Sequence, residues 1–128
     1  MSTEGLHLLI GWIAMLFGAL SGAILGLFFH RDGWAGGYQA FRRRMLRLGH
    51  ISFFGIGILN FLFAFTLSMV EFPESYVQIA SMGFLVAVIT MPLSCFLSAW
   101  KEVFRHLFPI PVLSVFTGIL PILMGWPP

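Results

Sequence analysis

Four long apolar stretches, separated by short polar segments, dominate the pattern of hydrophobic and polar positions along the chain. A helix that crosses the roughly 30 Å hydrocarbon core of a bilayer needs about 20 apolar residues. Four stretches come close to this length, at about residues 8–29, 48–69, 77–99 and 110–126, and none of them contains Asp, Glu, Lys or Arg. The pattern predicts an all-α integral membrane protein with one domain, residues 1–128, built as an antiparallel four-helix bundle with short loops.

The composition excludes the common alternatives to a membrane protein. Charged residues make up 9% of the chain and hydrophobic residues 59%, whereas an average soluble domain carries about 25% charged residues. Too few charges are present to cover a water-soluble globule, and far too much apolar surface is present for a disordered chain. Because Cys95 is the single cysteine, the chain can form neither an internal disulfide nor a cysteine-based metal cluster.

The basic residues are distributed unevenly between the connections. All seven lie in the first and third connections, while the N-terminal tail, the second connection and the C-terminus have none. By the positive-inside rule, both termini then lie on the non-cytoplasmic side of a bacterial-type cytoplasmic membrane. We expect Arg42, Arg43 and Arg44 to contact anionic lipid head groups rather than nucleic acid. Residues 39–47 have a basic, helical pattern and form either a surface helix or an extension of the second span.

Small and polar residues recur at helical spacing within the spans, which lets neighbouring helices approach closely. The predicted packing positions are Gly18, Gly22, Gly26, Gly57, Asn60, Gly83 and Ala87. Asn60 lies near the middle of the second span, where its amide must find partners within the protein or in water. Two roles are open for it, a hydrogen bond between helices and a contact with a substrate.

Three of the four histidines fall at the predicted cytoplasmic ends of the spans: His30, His50 and His106. A b-type haem needs two neutral imidazoles that face each other across the iron. The candidate ligand pairs are His30 with His50 and His50 with His106, and Arg43 and Arg44 would contact the haem propionates. The same imidazoles could instead contact lipid phosphate, backbone or a partner subunit, or bind zinc or copper.

One segment carries a limited resemblance to known haem proteins. His7 to Trp12, closed by Phe29 and His30, resembles the histidine-bearing helices of haem-binding membrane proteins, among them the catalytic subunit of haem–copper oxidases and the copper-resistance-type membrane family. The likeness covers residues 7–30, and the additional spans and deeply placed histidines of those families are absent. It implies haem binding without implying membership.

Nearly charge-free spans, short connections and small-residue faces favour an accessory or structural subunit of a larger membrane complex, of a redox or energy-converting kind. The alternative is a b-type haem subunit that transfers electrons, with a quinone near the haem. An oligomeric small transporter fits less well. The four-helix multidrug exporters resemble this chain in architecture, but they depend on a glutamate in the first span, where this chain has no acid. No nucleophile–base pair is visible, so we expect an electron-transfer component at most, and not an enzyme.

Overall fold

The computed structural model describes residues 1–128 and contains helices and no strands. Two short 3-10 helices, Trp34–Gly36 and Glu102–Leu107, lie in the first and third connections. The four α-helices are α1 Thr3–Phe29, α2 Phe41–Met69, α3 Glu74–Trp100 and α4 Pro109–Met124. Each is long and apolar enough to cross a membrane, α4 together with the 3-10 helix before it. The predicted all-α architecture with four membrane-spanning helices is confirmed.

The helices begin earlier than hydropathy alone predicts. Ser2 caps α1, and its side chain accepts a hydrogen bond from the backbone N–H of Gly5 at 3.1 Å, which satisfies one of the free donors of the first turn. α2 begins at Phe41 and includes the four arginines of the segment 42–47. The open question about residues 39–47 is thereby answered, since most of this segment extends the second span and does not form a separate surface helix.

Helices that follow one another in sequence pack against one another, α1 on α2, α2 on α3 and α3 on α4, while α1 barely touches α3. The members of each pair run in opposite directions. Between α1 and α2, Gly11 faces Phe61 whereas Gly22 faces His50. Between α2 and α3, Gly49 faces Phe96 whereas Phe63 packs on Phe84. Between α3 and α4, Gly83 faces Gly118 whereas Tyr76 faces Gly125. The bundle is therefore antiparallel and open, with α2 and α3 in the middle and α1 and α4 outside.

The backbones of α3 and α4 approach each other closely at two glycines. A Cβ atom built on Gly83 would collide with the backbone of Gly118 and lie 2.7 Å from the carbonyl oxygen of Ser114. Gly118 in turn has no room for a Cβ, which would lie 2.7 Å from the ring of Phe84. These two glycines let the two helix backbones touch, as small residues commonly do in membranes.

The apolar core lies between α2 and α3. Its buried members are Phe63, Val77, Ala80 and Phe84. Many large apolar side chains elsewhere are exposed, for example Leu27 at 69% and Met124 at 71%. Exposed apolar surface costs about 25 cal/mol per Å² in water but nothing comparable among lipid chains, as expected for a bundle that lies in a bilayer.

Candidate functional site

The most buried polar group of the chain is His7, which is fully shielded from the surroundings together with Asn60. Its Nδ1 lies 2.6 Å from Oδ1 of Asn60 on α2, and its Nε2 lies 2.8 Å from Oγ of Ser81 on α3. One imidazole on α1 therefore joins three helices through two hydrogen bonds.

The hydrogen-bond network assigns the neutral Nδ1–H tautomer to this imidazole. Nδ2 of Asn60 donates to the carbonyl oxygen of Ile56 at 2.8 Å, so Oδ1 of Asn60 is the acceptor and Nδ1–H of His7 donates to it. Nε2 then accepts the hydroxyl proton of Ser81. The ring of Phe63 packs edge-on against the imidazole, with 4.7 Å between centroids. Both ring nitrogens are occupied, so the group serves to hold the helices.

Sequence reasoning identified Asn60 but missed its partner. His7 lies at the start of the first span, where a histidine is readily interpreted as an interfacial residue. The available signal is its register, because His7 continues at helical spacing the face that Gly11, Ala14 and Gly18 bury. A polar residue in line with small packing residues indicates a bond between helices. The structure places Asn60 in such a bond, the first of its two predicted roles.

His50 packs on α1 at the level of Gly18 and Gly22. Its Nδ1 donates to the carbonyl oxygen of Gly18 at 2.8 Å and lies 3.3 Å from Oγ of Ser21. The ring fills the space that a Cβ on Gly22 would need, and it stands edge-on to Phe54, with 5.4 Å between centroids. The imidazole is half-buried and fixed to α1 through one nitrogen.

The candidate haem ligands His30 and His50 lie at different levels of the bundle. His30 follows Gly22 by eight residues, which is about 12 Å along the helix axis, and Gly22 marks the level of His50. His30 and His106 are both exposed, the former at the end of α1 and the latter in the third connection. No three His, Cys, Asp or Glu side chains gather in a way that could hold a metal ion. The residues therefore do not fit a haem held by His30 and His50.

Arg43 lies inside the molecule, contrary to the expectation that it faces lipid or propionate. Its side chain is 3% exposed. The guanidinium donates to the carbonyl oxygens of Phe29 at 2.9 Å and of Arg31 and Asp32 at 3.2 Å each. It also lies 4.7 Å from the centroid of the Phe29 ring. The last carbonyls of a helix lack partners and carry partial negative charge, so Arg43 stabilises the end of α1.

Arg42 does the same for α3. Its Nε donates to the carbonyl oxygen of Ala99 at 2.9 Å, which belongs to the last turn of that helix. Arg42 and Arg44 are exposed, so both remain within reach of an anionic group. The basic start of α2 thus contacts the ends of both of its neighbours.

The predicted packing residues fall into two groups. A Cβ on Gly57 would lie 3.1 Å from that of Ala14, and Ala87 is fully buried. Gly26 differs, because nothing lies within 4 Å of its Cβ position. The positions in contact within the chain are Gly18, Gly22, Gly57, Asn60, Gly83 and Ala87.

Two further features lie at the surface of the bundle. An apolar groove of about 570 Å³ separates α1 from α3 over Phe53 of α2. A polar cavity of about 320 Å³ at the opposite end from the arginines is lined by Glu4, Glu71 and Glu74 among others. Comparison of this chain with protein families, curated proteins and solved structures finds no match.

Proposed function

We propose that this chain is an accessory, structural subunit of a larger membrane complex. The observation that carries the proposal is the use of its buried polar side chains. His7, Asn60 and Arg43 are all bonded to groups of the chain itself, on neighbouring helices or helix ends. Polar groups that bind a substrate converge on a cavity instead. The buried polar groups of this chain organise its helices.

The outer surface supports the same proposal. Gly26 is exposed and nothing lies within 4 Å of its Cβ position, although Gly22 and Gly18, one and two turns earlier, are covered by α2. Small residues allow close contact between helix backbones, so this end of α1 is suited to a helix from another subunit. A redox or energy-converting complex is our specific proposal, and the half-buried His50 at the basic end of the bundle is its support.

Purification of the tagged chain from its native membrane in mild detergent tests this proposal. We expect the 14.3 kDa chain to migrate in a native gel with a fixed set of other subunits, and a tag on one of those subunits to recover this chain in the same ratio. The same tag on an unrelated four-span protein provides the control. Migration of the chain alone, or with itself only, would exclude an accessory role.

Haem binding with a second ligand from another subunit is the alternative function. It is favoured by the bond from Nδ1 of His50 to the carbonyl oxygen of Gly18, since such a bond orients an imidazole whose other nitrogen binds a metal. A reduced-minus-oxidised spectrum of the purified complex tests it. A b-type band that His50→Ala removes and His106→Ala retains would identify His50 as a ligand, and a full haem content in His50→Ala would exclude it.

A further inference from the structure

The groove between α1 and α3 exists because both helices pack on α2 and hardly on each other. Phe53 forms its floor. The centroid of the Phe53 ring lies 5.7 Å from the ring centroid of Phe17 on α1 and 6.1 Å from that of Phe96 on α3. Ten of its eleven lining residues are hydrophobic. Its walls are open to the surroundings, as the 65% exposure of Ile89 and the 51% exposure of Phe17 show.

The α3 wall of the groove is as long as one leaflet of a bilayer. Its lining residues run from Leu85 to Phe96, which is about 16 Å along the helix axis. The α1 wall is shorter and runs from Ile10 to Phe17, about 10 Å. The length of the α3 wall is about half of the roughly 30 Å thickness of the hydrocarbon core. The groove ends near the basic end of the bundle, because Phe96 lies within the last turns of α3. One acyl chain of a lipid in the leaflet at the basic end of the bundle has about the length of the α3 wall.

Positive charge lies where the head group of such a lipid would be. Ala99 follows Phe96 by three residues, about 4.5 Å along the axis, and its carbonyl oxygen holds Nε of Arg42. The terminal nitrogens of the Arg42 guanidinium have no hydrogen bond within the chain, and its side chain is exposed. Lys101, the next charged residue, caps α3 and lies 4.7 Å from the ring of Trp100. Glu102, the nearest acid in sequence, is paired with Arg105 at 3.5 Å.

We propose that this groove binds one acyl chain of an anionic phospholipid, whose phosphate is held by the guanidinium of Arg42 with Lys101 beside it. Charge complementarity and the half-bilayer length favour a lipid over a second protein helix, which would extend through both leaflets. Planar guanidinium groups suit phosphate because they donate two parallel hydrogen bonds. The proposal does not depend on the accessory role proposed above.

Native mass spectrometry of the chain in mild detergent tests this site, with dioleoyl phosphatidylglycerol and dioleoyl phosphatidylcholine as probes. The two lipids share their acyl chains, so a difference in affinity reports the head group. We expect one saturable site that binds phosphatidylglycerol about fivefold more tightly, because a basic residue near the surface contributes about 1 kcal/mol toward an anionic lipid and Arg42 is the residue that contacts the phosphate.

Two sets of variants, one of arginines and one of valines, test the head-group contact and the acyl-chain contact separately. Arg42→Gln should remove the preference for phosphatidylglycerol, Arg42→Lys should retain most of it, and Arg44→Gln should leave it unchanged. Val88→Phe fills the groove and should abolish the saturable site. Val112→Phe makes the same change on α4, away from the groove, and should retain it.

Several results would overturn the proposal. Equal losses for Arg42→Gln and Arg44→Gln would indicate general surface charge, and equal binding by the two valine variants would show that the groove is not used. A saturable dimer that excludes lipid would assign the groove to a second copy of the chain. Since Val88→Phe could disturb packing on α2, the arginine series tests the proposal by itself.

Discussion

The imidazole of His7 illustrates how few polar groups are needed to order a bundle whose surface is apolar. The hydrophobic effect does not favour contact between helices in lipid, because lipid chains are as apolar as leucine. Packing and hydrogen bonds between helices must then specify the arrangement. His7 bonds to two other helices at 2.6 and 2.8 Å, so it fixes the rotation and depth of α1 relative to both.

His7→Ala should lower the free energy of unfolding by about 2–3 kcal/mol, because it leaves buried partners unsatisfied and creates a cavity. Asn60→Ala should cost less, and a double-mutant cycle should give a coupling of about 1 kcal/mol between the two side chains. Denaturant titration in mixed micelles measures these values. His30→Ala provides the control and should change little, because His30 is exposed. Additive effects of the two substitutions would contradict the proposed bond.

Sequence alone predicts that Asn60 has a hydrogen-bond partner, because an amide in the middle of a span must find one, and it leaves open whether that partner is another helix or a substrate. The identity of that partner could not be predicted, because His7 and Asn60 are separated by 53 residues and only the pairing of α1 with α2 brings them together. Arg43 was expected at the surface for a similar reason. Three adjacent arginines share their sequence environment, and only the helical rotation directs one of them inward.

At the scale of the helices, the basic start of α2 acts on the ends of its neighbours. Arg43 donates to the carbonyl group of the last residue of α1 and to two carbonyl groups of the connection that follows, and Arg42 donates to one at the end of α3. Hydropathy locates the apolar spans of these helices well. It could not locate the start of α2, because a helix continues beyond the bilayer wherever its exposed residues are good helix formers and its end groups have partners.

Arg43→Ala should lower the free energy of unfolding by about 2–3 kcal/mol, since it removes charge-assisted hydrogen bonds and cation–π contacts. Arg43→Lys should restore little, because a single ammonium cannot reproduce the fork of the guanidinium. Arg44→Ala, one position along the helix, should change the value by less than about 0.5 kcal/mol. The same titration measures all three, and similar values for the two alanine variants would show that Arg43 has no special role.

Gly83→Ala should lower the free energy of unfolding by about 1–3 kcal/mol, because the new methyl group must separate the backbones of α3 and α4. Gly55→Ala is the matched control, since nothing lies within 4 Å of its Cβ position. That substitution should be neutral or slightly stabilising, as alanine is the better helix former. A stable Gly83→Ala variant would show that the two helices need not touch at this point.

At the scale of the whole molecule, the bundle is open, with α1 and α4 on its outside and large apolar side chains exposed to the surroundings. The sequence predicts an exposed apolar surface, but it does not predict where a groove lies in that surface. The groove over Phe53 depends on the spacing of α1 and α3, which are separated by residues 30–73 in sequence. The periodicity of residues within one helix cannot predict the distance between two helices.

Gly26→Leu should leave the isolated chain folded and remove it from its complex, because the new side chain meets nothing in the chain but blocks close approach by another helix. Gly55→Leu is the matched control on α2 and should be retained in the complex. Helix content measured by circular dichroism and co-purification from the native membrane distinguish folding from assembly. Full retention of Gly26→Leu would exclude this end of α1 as the contact.

The bonds of His7 also order the events of biosynthesis. α1 leaves the ribosome first, yet the acceptor for its Nδ1–H is on α2 and the hydroxyl for its Nε2 is on α3. Until both of these helices have entered the bilayer, the imidazole must keep water or lipid head groups as partners, because an unpaired polar group in hydrocarbon is costly. The imidazole of His7 therefore acquires its final partners only after α3 has been made.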